Sequence, residues 1–178
     1  MKKSDQSIAL SHTVSHSKRA TLQRFGGFAT FAVVATLGAW AMPRAQAATT
    51  APLLEVWKDP NCGCCKDWVA LMAQAGFQVK TYDTGNRAKR KQLGLSEKLG
   101  SCHTATTATV AGYVVEGHVP ADAIKRLLAE RPKALGITVP GMPIGSPGMD
   151  GPVYGGRKDP FNVLLVQADG RTRVWQVG

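Results

Sequence analysis

The chain has 178 residues and a formal net charge of +10, but six of its 22 Lys and Arg and one of its 12 Asp and Glu precede Ala48, leaving 16 cations against 11 anions after it. The basic stretch "NRAKRKQ" (Asn86 to Gln92) supplies much of the remainder, and no RNA- or DNA-binding motif accompanies it. It reads as a solvated helix face, and a nucleic-acid partner is excluded.

In chain order, a polar head containing Lys2, Lys3, His12, His16, Lys18, Arg19 and Arg24 precedes the apolar run "FGGFATFAVVATLGAWAM" (Phe25 to Met42) and the small-x-small site Ala45-Gln46-Ala47. This order predicts a cleavable signal peptide over 1–47, cut before Ala48, and a periplasmic protein. An uncleaved anchor is the competing reading, since the run is about long enough to span a bilayer. The small, glycine-containing run and the Ala-Gln-Ala site favour cleavage, hence no membrane anchor in the mature chain. "SKRATLQ" (Ser17 to Gln23) resembles a twin-arginine signal with Lys18 in place of the first Arg, and an ordinary Sec signal fits as well. The mature chain, 48–178, suits a single domain with a modest core.

"APLLEVWKD" (Ala51 to Asp59) reads as a strand stopped by Pro60. A helix is predicted from Cys65, with Trp68, Leu71, Met72 and Ala75 as its apolar stripe, Met72 as a core residue and Gly76 as its stop. Phe77 to Thr84 reads as a second strand, and Asn86 to Ser96 as a short basic helix. Ser101 to Pro120 reads as extended structure with a turn near Glu116-Gly117. "PADAIKRLLAERP" (Pro120 to Pro132) is a helix with Pro120 in its first turn and Ile124, Leu127 and Leu128 buried. Gly136 to Asp159 reads as a long Gly/Pro loop. Phe161 to Val177 reads as a hairpin turning at Asp169-Gly170. Strand, cysteine loop, helix, strand, then a later helix and a hairpin is a thioredoxin-like α/β order: a mixed central sheet with flanking helices and a C-terminal β-hairpin.

All four cysteines lie after the signal, in an oxidising compartment where a structural disulfide is the default. Three of them, Cys62, Cys64 and Cys65, crowd into "NCGCCK", unlike a stapling framework, which spreads its bridges along the chain. Cys62 and Cys65 have C-x-x-C spacing at a helix mouth, where unpaired N–H groups and the helix dipole favour thiolates. That suits disulfide exchange, or a helix-capping disulfide. Cys64 would scramble a simple exchange cycle, and it adds a third soft ligand; thiolates select Cu(I), Zn or iron–sulfur clusters. Further candidate ligands are Cys102 and His103 at the head of a predicted strand, His118 before the last helix, and Met142 and Met149, whose neutral thioethers suit Cu(I). Each has a plainer alternative: a buried structural thiol for Cys102, hydrogen-bonded core or turn histidines for His103 and His118, and loop packing for the methionines. Trp57 and Trp68 flank the cysteine loop and are expected to wall it off.

"CGCCKDW", "SCHTA", "GYVVEGHVPADAIKRLLAERP" and "VPGMPIGSPGMDG", in this order, resemble the CopG-like family of exported, thioredoxin-like metal-binding proteins associated with copper resistance. The resemblance runs from about Leu54 to Val177. It implies a copper site built on Cys62, Cys64 and Cys65, joined by Cys102 across the fold. His103, His118, Met142 and Met149 stand at recurrent family positions. It also implies handling of both Cu(I) and Cu(II), with copper ions and other envelope copper-handling proteins as partners. One departure is visible: "TTATVA" (Thr106 to Ala111), which overlaps the local repeat "TATTAT" over Thr104 to Thr109, makes the segment between Cys102 and His118 about three residues longer than the family's usual pattern. An odd insertion in a strand flips its faces, or is absorbed as a bulge.

The expected function is envelope copper binding through clustered thiolates with interconversion of Cu(I) and Cu(II). The alternative is a thiol–disulfide oxidoreductase using Cys62 and Cys65; against it stand Cys64 and the lack of a proline at "SCHTA", where such enzymes place a cis-proline. A redox-inert zinc or structural sulfur site is a further rival.

Overall fold

The computed structural model describes residues 50–108 and 112–178. The predicted signal peptide, and Thr109 at the end of the threonine repeat, lie outside the described residues.

Strand β1 (Leu53–Lys58) buries Leu54, Val56 and Lys58 on one face, the period-two alternation of a strand covered on that side. Helix α1 (Gly63–Gln74) starts two residues before Cys65, with Cys62 as its extended N-cap. It buries Cys65, Trp68 and Met72 against the sheet and stops at Gly76, whose φ of +93° is open to glycine and costly for other residues. β2 (Gln78–Tyr82) returns parallel to β1. Helix α2 (Arg87–Gln92) follows, then a 3-10 turn, Glu97–Leu99.

β3 (His103–Thr107) runs antiparallel to β1, and β4 (Val114–Glu116) antiparallel to β3. The reversal therefore falls between Thr107 and Val114, not at Glu116-Gly117 as the sequence suggests. Gly117, at φ +76°, instead bends the chain out of β4 toward the next helix. Helix α3 (Ala121–Glu130) has Pro120 as its extended N-cap, just outside the first turn, and ends at Arg131 in the left-handed region.

The predicted Gly/Pro loop is not all loop. β5 (Gly136–Thr138) lies inside the sheet, parallel to β4 and antiparallel to β6 (Asn162–Val166). Three residues are too few to show a period, and glycine hides the strand from propensity. Gly136 is required by contact: a Cβ there would lie 1.9 Å from the Val114 carbonyl oxygen. Gly136→Ala is expected to destabilise the protein by about 3 kcal/mol or more, beyond ordinary overpacking because the obstacle is backbone. A urea midpoint within error of wild type would refute this. β7 (Thr172–Val177) closes the C-terminal hairpin through the turn at Asp169-Gly170.

The result is a mixed seven-stranded sheet, β2-β1-β3-β4-β5-β6-β7. α1 and α3 cover one face, where Leu54, Val56, Trp68, Ala105, Val115, Ile124 and Ile137 share the main core. Met72 belongs to it, as its spacing predicts. A smaller cluster of Leu95, Val114 and Val166 lies apart from this core. By alternation, Thr104 and Glu116 point away from the main core, toward α2. Among the described residues no helix is long and apolar enough to cross a membrane.

Candidate metal centre

The loop between β1 and α1 puts Cys62 at the helix N-cap and Cys64 and Cys65 in the first turn. β3 is β1's neighbour and pairs Lys58 with His103, so the segment entering β3 arrives beside that loop. Sequence-distant cysteines therefore meet because β1 ends where its antiparallel neighbour β3 begins. The Sγ atoms of Cys62, Cys64, Cys65 and Cys102 all lie within 4.8 Å of one another. Cys62 and Cys65 are joined as a disulfide with Cα atoms 5.3 Å apart, while Cys64 and Cys102 are unbridged. Cys64 Sγ sits 3.6 Å from Cys62 Sγ.

Cys102 is shared with a second group. Its Sγ is 3.0 Å from His118 Nε2 and 3.4 Å from His103 Nδ1, and these donor atoms also fall within 4.8 Å of one another. His118 Nδ1 lies 2.8 Å from the Pro147 carbonyl. A carbonyl only accepts, so Nδ1 carries the hydrogen and Nε2 presents its lone pair to Cys102. Burial holds His118 below the usual histidine range, which favours this neutral form. His103 is fully buried and pushed down to about 3, first by burial and then by the neighbouring His118 ring. Its Nε2 has no hydrogen-bond partner. A neutral imidazole is the form a metal ligand takes, and the ring nitrogen that faces Cys102 is Nδ1.

Cys102 Sγ and His118 Nε2 approach to 3.0 Å although the sequence between these two residues is lengthened. Trp68 walls the site from below: it is fully buried, its ring centroid lies 4.4 Å from that of His103, and its Nε1 donates to the Val119 carbonyl at 2.9 Å. Trp57 does not flank the cysteines. Alternation along β1 turns it to the other face, where it stacks on Tyr82 at 4.8 Å beneath Lys89.

The two methionines belong to the chain segment crossing the site after β5. Ser101 Oγ donates to the Gly141 carbonyl next to Met142, which is 45% exposed. Further on, Gly148 packs on the first turns of α1, where a Cβ would come within 2.8 Å of both the Cys64 carbonyl and Trp68 N. Met149 is buried, and its Sδ accepts a hydrogen bond from the Tyr154 hydroxyl at 3.2 Å. The segment thus places Met142 at an open edge and Met149 under cover.

Burial pushes the Cys102 thiol up to about 12, reinforced by Cys64 nearby. Its proton therefore stays on until something displaces it. A folded-state pKa above the unfolded one means that the native state holds the proton longer, so stability falls as pH rises through the window from about 9 to about 12. The metal-free protein is expected to lose stability across this range, and Cys102→Ser to flatten the slope. Parallel urea-denaturation curves for the two proteins would contradict this.

Three residues that no sequence pattern singles out lie close to the site. Tyr154 had no signal in its loop. Its hydroxyl is pushed up by burial first, then by Cys64, Asp67, Cys102 and Asp150. Glu116 is fully buried, and burial raises it to about 7 against the opposing pull of Thr104, Ser101 and Arg90. Arg90 is 8% exposed, an exception to the predicted solvated face of α2. A cavity of about 530 Å³ beside α2, lined among others by Asp59, Asn86, Arg87 and Lys91, opens onto Cys102.

Comparison with known proteins bears on this arrangement. The family model described as "Protein of unknown function, DUF411" matches residues 99–149, which include Cys102, His103, His118, Met142 and Met149. A solved structure described as "Copper resistance protein copG- Form 2" is 39% identical over 72% of this chain and 98% of its own, with a TM-score of 0.65. Its Form 1 counterpart is 39% identical over 71% of this chain and 96% of its own, with a TM-score of 0.64. No curated protein matches the chain significantly.

Proposed function

Because the chain belongs to the CopG-like family of copper resistance proteins, we propose that it is a periplasmic copper-binding protein that holds Cu(I) through clustered thiolates and converts Cu(II) to Cu(I). The observation that carries this reading is the convergence of four sulfurs within 4.8 Å, with Cys102 common to them and to two neutral histidines. Soft thiolates favour the cuprous ion, imidazoles serve either oxidation state, and sulfurs this close can bridge several ions. Met149 and Met142 are proposed as thioether ligands, from the covered and open parts of the crossing segment respectively. The frame is proposed to be thioredoxin-like. Supporting it is the β1-α1-β2 parallel unit flanked by the antiparallel β3-β4 pair, with the cysteines at the N-terminus of α1. Residues 1–47 are proposed as a signal removed on export by the Sec or twin-arginine route, and other envelope copper-handling proteins as partners.

The redox step balances within the site. Reduced Cys62 and Cys65 form their S–S bond, releasing two electrons and two protons. Each electron reduces one Cu(II) to Cu(I), and the protons pass to solvent. The bridged pair corresponds to the product of this step. Cys64 and Cys102 remain as thiolate ligands, with His118 and His103 beside them. Return to the dithiol requires two electrons from an external thiol donor.

Anaerobic addition of Cu(II) to the fully reduced protein is expected to yield two Cu(I) per Cys62–Cys65 bridge formed. Cys65→Ser is expected to lose this stoichiometry. Cu(II) remaining unreduced would count against the redox half of the proposal. The Cys62–Cys65 bridge at a helix N-cap also favours a second reading, a thiol–disulfide oxidoreductase. That reading predicts insulin reduction with turnover that survives Cys102→Ser, whereas the copper reading predicts none.

A further inference from the structure

The face of the sheet opposite the main core carries a polar cluster that the copper chemistry does not use. Glu116, on β4, is fully buried. Its Oε1 accepts the backbone N–H of Ser101 at 2.7 Å, and its Oε2 accepts the Thr104 hydroxyl at 2.5 Å. These two donors straddle Cys102 and His103 in sequence. The Asn86 side-chain amide, from the start of α2, donates to the Ser101 carbonyl at 3.1 Å and to Thr104 Oγ1 at 3.2 Å, and reaches Glu116 Oε1 at 3.5 Å. Arg90 adds a guanidinium 3.5 Å from the Ser101 carbonyl and 3.6 Å from Glu116 Oε1, and is itself paired with Glu97. The Ser101 peptide is thus held at both its N–H and its carbonyl.

The placement matters because Cys102 lies just outside β3. It lacks the ladder that fixes His103 opposite Lys58. Something other than the sheet must set where its Sγ points. A buried carboxylate is expensive, and this one is matched by one backbone donor, one hydroxyl, one amide and one guanidinium, all meeting at the same short segment.

We propose that Glu116, clamped by Asn86 and Arg90, is a positioning residue for Cys102: it fixes the Ser101–Thr104 segment so that the Cys102 sulfur stands between the cysteine loop and the two histidines. The proposal rests on the copper reading for its purpose, but the positioning is measurable without copper. Glu116→Ala removes both acceptors. Glu116→Gln keeps an acceptor for Ser101 and can donate to Thr104 Oγ1, so it serves as the conservative rescue.

The test is competitive alkylation of the metal-free, Cys62–Cys65-bridged full chain, mapped peptide by peptide, which compares Cys102 with Cys64. Release of the segment exposes a half-buried thiol. The expected result in Glu116→Ala is a rise in the Cys102 rate of roughly fivefold or more with Cys64 unchanged, as a lost buried hydrogen bond and greater exposure imply. In Glu116→Gln the rate returns to within about twofold of wild type. Asn86→Ala, a partly exposed site, decides the matter if Glu116→Ala does not fold; it is expected to raise the Cys102 rate selectively by roughly two- to threefold. An unchanged Cys102 rate, or equal acceleration of both cysteines, overturns the proposal, the second because general loosening would move both. If the selective effect appears while copper binding fails, the copper reading falls and the positioning stands.

Discussion

Replacing Cys64 by Ser is expected to lower Cu(I) affinity in the disulfide-bridged protein by at least about a hundredfold, the upper end of what losing even a supporting group around a metal site costs. The reason lies in which sulfurs stay available. With Cys62 and Cys65 bridged, Cys64 and Cys102 are the unbridged cysteines of the chain. Removing Cys64 leaves Cys102 with the histidines alone, a set with one thiolate. The fold has little at stake, since Cys64 is half-buried at the first turn of α1 and belongs to no core cluster. Competition against a chromophoric Cu(I) chelator reads the change directly. A Cys64→Ser protein that competes as well as wild type would show that the third cysteine is not a ligand, and would favour the simple C-x-x-C chemistry of an oxidoreductase.

Trp68→Ala should have the largest effect on stability, a loss of about 3–5 kcal/mol for truncating a fully buried aromatic. Trp68 joins core and site: its ring packs among the core residues between α1 and β3 and borders the His103 ring at 4.4 Å. Its Nε1–H bonds the buried Val119 carbonyl, one residue past His118. Trp68→Phe separates these contributions. It keeps most of the ring packing but leaves that carbonyl without its partner, which costs about 1–3 kcal/mol. Urea denaturation of the metal-free proteins checks both values. A loss under about 1 kcal/mol in Trp68→Ala would mean that the site floor is supported elsewhere.

Much of this arrangement was legible in the sequence, for identifiable reasons. The α1 stripe repeats at helical spacing, so Trp68 and Met72 announce their burial. The Asp169-Gly170 turn marks the terminal hairpin, and C-x-C-C crowding marks the site. What was not legible depended on tertiary pairing. β5 has three residues starting with a glycine, and its identity as a strand comes from β4 and β6 on either side. The reversal between β3 and β4 was misplaced because Glu116-Gly117 has turn chemistry, which the fold uses to leave the sheet instead of to make a hairpin. Arg90 sits in a run of cations that reads as a solvent face, and no pattern distinguishes the one that turns inward to Glu116 and Glu97. Glu116 did carry a faint signal, an acid following "YVV" in an extended run. The Cys102–His118 approach required knowing that the end of β4 returns to the start of β3, a register that one chain's local pattern does not specify.

Whether the four cysteines act as one soft-metal cluster is decided by anaerobic titration of the fully reduced protein with Cu(I) against a chromophoric chelator. Several Cu(I) ions per chain are expected to be withheld from the chelator, with the number falling in both Cys64→Ser and Cys102→Ser. Failure of the wild-type protein to compete, or binding indifferent to both substitutions, would contradict a single cluster.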